Sequence, residues 1–188
     1  VSRLIGLTGL PECGKDSIGD DLVRTHDFAK MSFAGPIKDG LARMLDIPWQ
    51  SFEDRAVKEQ EIPWIGKSPR QLMQTLGTAW GRDTVREDIW IRHAQRRLDN
   101  YRRISTKVVV TDVRFPNEAD WLRANGGELW HVLRKAAPNV VHLHASNIPL
   151  AVLPGADSVI TNDEGLEQLR HQVARALAGD SRIETLTA

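Results

Sequence analysis

Leu4-Ile5-Gly6-Leu7-Thr8-Gly9-Leu10-Pro11-Glu12-Cys13-Gly14-Lys15-Asp16-Ser17 is the stretch on which the fold turns. It reads as a short apolar strand, then GxxxxGK, then the opening of a helix. That context separates a phosphate-binding loop from a chance glycine turn. Gly9 and Gly14 let the backbone curl, so that successive N–H groups across Leu10, Pro11, Glu12 and Cys13 can face phosphate oxygens, except at the proline, which has none. The helix start adds the positive end of its dipole. Lys15 then reaches the β and γ phosphates, and a nucleoside triphosphate is the expected ligand. A glycine-containing turn without a ligand is the plainer alternative, and strand, spacing, lysine and helix together weigh against it.

The residue after Lys15 departs from the common motif. Asp16 stands where Ser or Thr ordinarily offers a hydroxyl to magnesium. Ser17 is about 100° further round the helix and does not occupy the same point in space. Either Asp16 meets the ion, directly or through water, or Ser17 does so in a shifted geometry; Asp16 is favoured. An acid in a first helical turn is also favourable to the helix dipole, which holds in both cases.

Outward from the loop, apolar runs alternate with helically spaced segments, the pattern of βαβ units around a parallel sheet. Strands are expected over 3–8, 28–33, 107–111, 128–133 and 157–161. The run Lys107-Val108-Val109-Val110-Thr111 suits a strand covered on both faces and is expected at the centre of the sheet. Pro36 opens a helix carrying Ile37, Leu41, Met44 and Leu45. Ser68 and Pro69 make an N-cap and first helical position, followed by Leu72, Leu76 and Trp80 on one face. Trp90, Ala94 and Leu98 mark the next helix. Pro116 to Ala124 forms a short helix stopped by Asn125, Gly126 and Gly127. Leu166, Leu169, Val173 and Leu177 mark the last one.

Two intervals break the alternation. Residues 46–100 are longer than one crossover requires and read as an insertion with two helices, forming one wall of a cleft. Residues 134–156 contain three prolines, one glycine and no acid, and read as a mobile loop. The last eight residues are expected to fray.

The chain has 188 residues, 41% hydrophobic and 27% charged, with 25 Lys plus Arg against 25 Asp plus Glu. That composition excludes a disordered chain, a collagen-like repeat and a coiled coil. Zero net charge argues against a protein whose main task is to hold nucleic acid, and any anion site must be local. One cysteine, Cys13, excludes an internal disulfide and suits a reducing cytosol. No run approaches a membrane span, and the first ten residues lack a signal-peptide cleavage pattern.

Further candidates lie at the ends of the expected strands. Asp112, after the 107–111 strand, is placed where such proteins keep the carboxylate that orients magnesium or its waters. Arg114, two residues on, can aim a planar fork at a phosphate; a capping Asp and a surface Arg are the plainer readings. In the insertion, Arg70 stands in a first helical turn and Arg82 follows Gly81. Trp80 is either a stacking platform for a base or core, and its 72, 76, 80 spacing favours core. Arg134 is a cation that a closing loop would bring to the transferred phosphoryl group. His142 and His144 lack a third metal ligand at a characteristic spacing. Arg92, Arg96, Arg97, Arg102, Arg103 and Lys107 read as a solvated helix face.

Taken together, these residues resemble the bacteriophage deoxynucleoside monophosphate kinases, within the P-loop nucleoside monophosphate kinase group. The likeness spans residues 3 to about 178. It rests on GLTGLPECGKDS, SFAGPIK, GKSPRQLMQTLGTAWGR, VVVTDVRFPNEAD and HASN. The GKD form of the loop is normal in that family, where HASE is commoner than the HASN ending at Asn147.

The resemblance implies an α/β P-loop NTPase fold, a three-layer αβα sandwich on a five-stranded parallel sheet. One kinase domain spans 1–188: a core of 1–33, 101–133 and 157–180, a helical monophosphate-binding insertion over 34–100, and a lid over 134–156. It also implies transfer of the ATP γ-phosphoryl group to a deoxynucleoside 5'-monophosphate in deoxynucleotide biosynthesis, with ATP and magnesium (Mg2+) as cofactors. By position, Gly9 to Ser17 bind ATP, and Lys15, Asp112, Arg114 and Arg134 are catalytic. Asp16, Ser17 and Asp112 serve the metal, and Arg70, Trp80, Arg82 and Arg114 bind the acceptor. Neither nucleic acid nor membrane is expected as a partner, a homodimer is left open, and the expected location is the cytoplasm, the host's if phage-encoded.

Two other readings stand beside it. One is a kinase of similar architecture acting on another phosphorylated small molecule, of the dephospho-coenzyme A or phosphomevalonate type. The other is a nucleotide-dependent switch with no acceptor, such as a DNA-packaging accessory protein. The SPRQLMQTLGTAWGR segment favours the nucleotide reading.

Overall fold

β1 (Leu4–Thr8) is buried at all five positions and lies at the centre of a five-stranded parallel sheet, ordered β2-β3-β1-β4-β5. The others are β2 (Phe28–Met31), β3 (Lys107–Val110), β4 (Glu128–Leu133) and β5 (Ser158–Thr161). The computed structural model describes residues 3–134 and 149–180. Lys135, His142, His144 and Asn147, most of the 134–156 segment and the last eight residues lie outside the described residues.

All five expected strands form; β4 keeps its expected bounds and the other four lose one or two terminal residues, β2 stopping at Met31 and β3 at Val110. The centre is a correction. The valine-rich β3 is interior, between β2 and β1, but β1 holds the middle place. Both strands meet the demand for double coverage, so burial alone does not rank them. In register, Ile5 stands beside Val109 and Leu7 beside Trp130.

The chain divides into two compact units, Val1–Ser32 with Arg97–Ala188, and Phe33–Arg96. In the first, α1 (Lys15–His26) and α7 (Leu166–Ala178) cover one face of the sheet. Ile18, Leu22, Leu169 and Val173 pack there against Ile5, Leu7, Val109, Trp130 and Ile160. Each such aliphatic side chain contributes roughly 1.5–3 kcal/mol by burial. Leu166, expected on this face, is exposed at the first turn of α7. α6 (Pro116–Ala124) packs on β1 and β4 from the opposite face, where Leu122 closes over Gly6 and Gly127. Its bounds are those expected from the sequence, and Gly126 behind it takes φ 73°.

A buried cluster fastens this unit below α6. Asp157, fully buried, accepts from Arg123 at 2.8 Å, contacts His131 Nε2 at 3.0 Å and accepts the Leu153 N–H at 2.8 Å. Burial alone would raise the carboxyl's pKa, but the hydrogen bonds from Arg123, Leu153 and His131 override it and hold it below its ordinary value.

The second unit is helical. It comprises α2 (Gly35–Leu45), a 3-10 turn (Trp49–Phe52), α3 (Arg55–Lys58), α4 (Pro69–Gln74), a π-helix (Thr75–Val85) and the start of α5 (Ile89–Arg103). Ile37, Leu41 and Phe52 form its core, with Leu72, Leu76 and Trp90 packed against them. Ser68 caps α4 as expected, accepting from the Gln71 N–H while Gln71 Oε1 accepts the Ser68 N–H.

The helix after Ser68 differs from expectation in its winding. It is α only to Gln74 and then π for eleven residues. The 72, 76, 80 face therefore does not persist. Leu72 and Leu76 enter the core, whereas Trp80 is 50% exposed, which overturns its reading as core.

Candidate phosphate-binding site

The loop between β1 and α1 takes the conformation that its glycines permit. Gly9 has φ 142° and Gly14 φ 107°, both in regions that L side chains rarely adopt. Space is also closed at both. A Cβ on Gly9 would lie 2.3 Å from the Val132 carbonyl oxygen, and one on Gly14 would lie 2.4 Å from Asn162 Nδ2. Gly14 caps α1 and has no side chain to satisfy the first amides, which leaves the helix N-terminus open to an anion.

Lys15 folds back over the loop. Its Nζ donates to the carbonyls of Gly9 and Leu10, both at 2.7 Å, and stands 3.5 Å from Cys13 Sγ. Burial lowers the lysine's pKa below its ordinary value, and nearby Arg114 lowers it further, while Cys13 and Asp16 act in the opposite sense. An ammonium largely withdrawn from water with a second cation in its neighbourhood is stabilised by a polyanion, which is how a triphosphate would present itself.

Three more elements converge on this loop. The Val113 N–H donates to the Leu7 carbonyl at 3.1 Å, so the turn after β3 follows the end of β1 and brings Asp112 and Arg114 to the same sheet edge. Arg134, just past β4, donates from Nη1 to the Glu12 carbonyl at 3.3 Å. Asn162, just past β5, donates from Nδ2 to the Cys13 carbonyl at 2.9 Å. The sheet edge thus gathers Lys15, Asp112, Arg114 and Arg134 from different connections.

Asn162 and Glu118 were not singled out from the sequence. Glu118 is buried, and its Oε2 accepts the N–H groups of Arg114 at 2.8 Å and Phe115 at 3.1 Å. It fixes the turn that carries Asp112 and Arg114. An acid three residues beyond the N-cap of α6 is the signal that was there to be read. Asn162 offered no local signal, because its partner is 149 residues away in sequence.

Asp16 and Ser17 in the first turn of α1, and Asp112 just after β3, carry hard oxygen donors. Among the described residues no group of three or more His, Cys, Asp or Glu forms a metal cage. Such a donor set fits magnesium, which is ordinarily held by one or two carboxylates together with substrate phosphates.

In the second unit, Arg70 pairs through Nε with Glu59 Oε1, so its expected role as an anion binder requires exchange of that partner. Arg82 donates from Nη1 to the Glu87 carbonyl at 3.3 Å. The exposed Trp80 lies two residues before it on the π-helix.

A GxxxxGK loop at the carboxyl edge of a parallel sheet, with arginines gathered round it, defines the class of P-loop phosphotransferases. Residues 49–173 match the family model for deoxynucleotide monophosphate kinase, and the chain belongs to that family. It is 28% identical, over 96% of its length and 98% of the other's, to a protein of Acanthamoeba polyphaga mimivirus whose provisional name is deoxynucleotide monophosphate kinase. It is 25% identical to the deoxynucleotide monophosphate kinase of Enterobacteria phage T4, over 93% of this chain and 98% of that one. Among solved structures, dephospho-CoA kinase from Campylobacter jejuni shares the fold, with a TM-score of 0.51, 13% identity, and coverage of 96% and 98%. No helix among the described residues is long and apolar enough to cross a membrane.

Proposed function

We propose that this chain transfers the γ-phosphoryl group of ATP to a deoxynucleoside 5'-monophosphate, giving the diphosphate and ADP. The observation that carries the reading is Lys15, held in a glycine-shaped phosphate loop with Arg114 and Arg134 beside it, in a member of this family. The loop from Gly9 to Ser17 cradles the donor's phosphates. Lys15 and Arg134 neutralise charge on the group in flight, and Arg114 meets donor or acceptor phosphate. Asp112 with Asp16 or Ser17 would hold magnesium, which would supply neutralisation of phosphate charge.

The acceptor belongs to the insertion, residues 34–100, through Arg70, Arg82 and Trp80, and residues 134–156 act as the lid. A phosphate monoester is already an oxygen nucleophile near neutral pH. Positioning and electrostatics therefore suffice without a strong general base. The cytoplasm is the proposed location.

The test is ADP release with ATP, magnesium and each deoxynucleoside monophosphate in turn. Release stimulated by deoxynucleoside monophosphates, and lowered by orders of magnitude in a folded Lys15→Ala variant, is the expected result. Near-normal transfer by that variant would sink the assignment. Equal release without acceptor would favour a nucleotide switch.

A further inference from the structure

Residues Thr75–Val85 form a π-helix. π winding ordinarily occurs as a single-turn bulge inside an α-helix, and here it runs for eleven residues. The local sequence does not require it. There is no proline between Thr75 and Val85, and the preceding cap at Ser68 starts an ordinary α-helix.

An indole is seated against this winding. Trp90, in the first turn of α5, donates from Nε1 to the Gly77 carbonyl at 2.7 Å. Its ring lies against Gly81 so closely that a Cβ there would sit 2.7 Å from Cζ2 and 2.9 Å from Cε2 and Nε1. The two glycines, four residues apart, leave the space in which the ring sits. The same widened spacing recurs beyond it: Thr84 Oγ1 donates to the Ala79 carbonyl at 2.8 Å and the Arg86 N–H to the Gly81 carbonyl at 2.9 Å, each five residues back.

The winding decides where Arg82 and Trp80 stand. A π-turn closes to the fifth residue rather than the fourth, so each residue advances less about the axis. Rewinding Thr75 to Arg82 as α-helix would turn Arg82 by roughly a third of a revolution relative to α4 and its Arg70.

We infer that Trp90 is the positioning residue of the acceptor subsite: its indole, seated on Gly81 and bonded to Gly77, keeps residues 75–85 in π winding and thereby aims Arg82 and Trp80. This rests on the reading that Arg70, Arg82 and Trp80 receive the deoxynucleoside monophosphate. Trp90 need not touch the acceptor; it acts through the helix.

Two variants test this from opposite sides. Trp90→Phe keeps an aromatic ring and removes the donor. Gly81→Ala keeps the donor and fills its seat. For the full-length protein, KM for the monophosphate, KM for ATP, kcat and melting temperature are measured, with hydrogen exchange of residues 75–85. Each variant is expected to raise the acceptor KM roughly tenfold, the scale of one lost buried hydrogen bond, and to leave the ATP KM within about twofold. Exchange over 75–85 should change in both. The double variant should be no worse than the weaker single, since both act on one seat.

An unchanged acceptor KM in either folded variant would overturn the inference. So would equal rises in both KM values that track a lost melting temperature, because that is a purely structural role. If one variant fails to fold, the other still decides. Absence of acceptor-dependent transfer in the unaltered protein overturns the functional reading itself, an outcome distinct from normal transfer with insensitive variants.

Discussion

Asn162 and Cys13, 149 residues apart in the chain, are joined by a 2.9 Å hydrogen bond from the Asn162 amide to the Cys13 main-chain carbonyl. The carbonyl and the following N–H of one trans peptide point in opposite directions. By holding the Cys13 carbonyl, Asn162 turns the Gly14 N–H away from itself. Asn162→Ala is expected to weaken ATP binding about five- to tenfold, on the scale of one net hydrogen bond, with little effect on KM for the acceptor. Calorimetric titration with ATP checks this; unchanged affinity would show that the loop holds its shape unaided.

Glu118 shapes the turn that carries Asp112 and Arg114, with two main-chain N–H groups on one carboxylate oxygen. Glu118→Ala removes that acceptor and should cost about 1–3 kcal/mol of stability while also lowering kcat. Glu118→Gln keeps an oxygen and should be milder on both counts. Urea midpoints and turnover numbers for the two variants make the comparison.

Lys15 makes nucleotide binding sensitive to alkaline pH. Its pKa in the free protein is lowered, by burial first and then by Arg114, and bound phosphates should raise it. Between those two values binding takes up a proton, so the ATP dissociation constant should rise with pH by up to about tenfold per unit, and be flat below the window. The sign for stability follows from the same depression. The unfolded chain binds more protons in the window between the lowered native value and the ordinary lysine value, so the free protein should gain stability as pH rises through it. Titrations in buffers of different ionisation enthalpy detect the proton directly.

Asp157 ties Arg123, His131 and the Leu153 amide into one buried knot. Its depressed pKa means that its contribution is complete above the unfolded carboxylate value, about 3.9, and is lost as pH falls through the lower native value. Asp157→Ala leaves the partly buried Arg123 with only the exposed Asp120 carboxylate at 3.6 Å, takes the acceptor from the Leu153 N–H, and should destabilise by about 1–3 kcal/mol at neutral pH. Denaturation curves at neutral and acid pH should converge for the two proteins at the acid end.

The parts of the fold that are local were legible in the sequence. β1, the glycine loop and α1 follow from spacing, and α6 from Pro116 at one end and Gly126 at the other. The hidden parts depend on distant partners. Leu72, Leu76 and Trp80 have the spacing of an α-helical face, yet the stretch winds as π with the Trp90 indole, brought up from α5, seated against it, and Trp80 is exposed. Arg70 looked available to an anion until Glu59, eleven residues earlier, was brought to its guanidinium. Asn162 was unremarkable until β5 placed it under the loop.

Phosphoryl transfer to the monophosphate is tested by following the phosphorus atom. The protein is incubated with magnesium, ATP labelled at the γ phosphorus and a deoxynucleoside monophosphate, and the labelled products are separated. The expected result is label in the deoxynucleoside diphosphate, appearing only with acceptor and lost in Lys15→Ala. Label released as inorganic phosphate at the same rate with and without acceptor would contradict it.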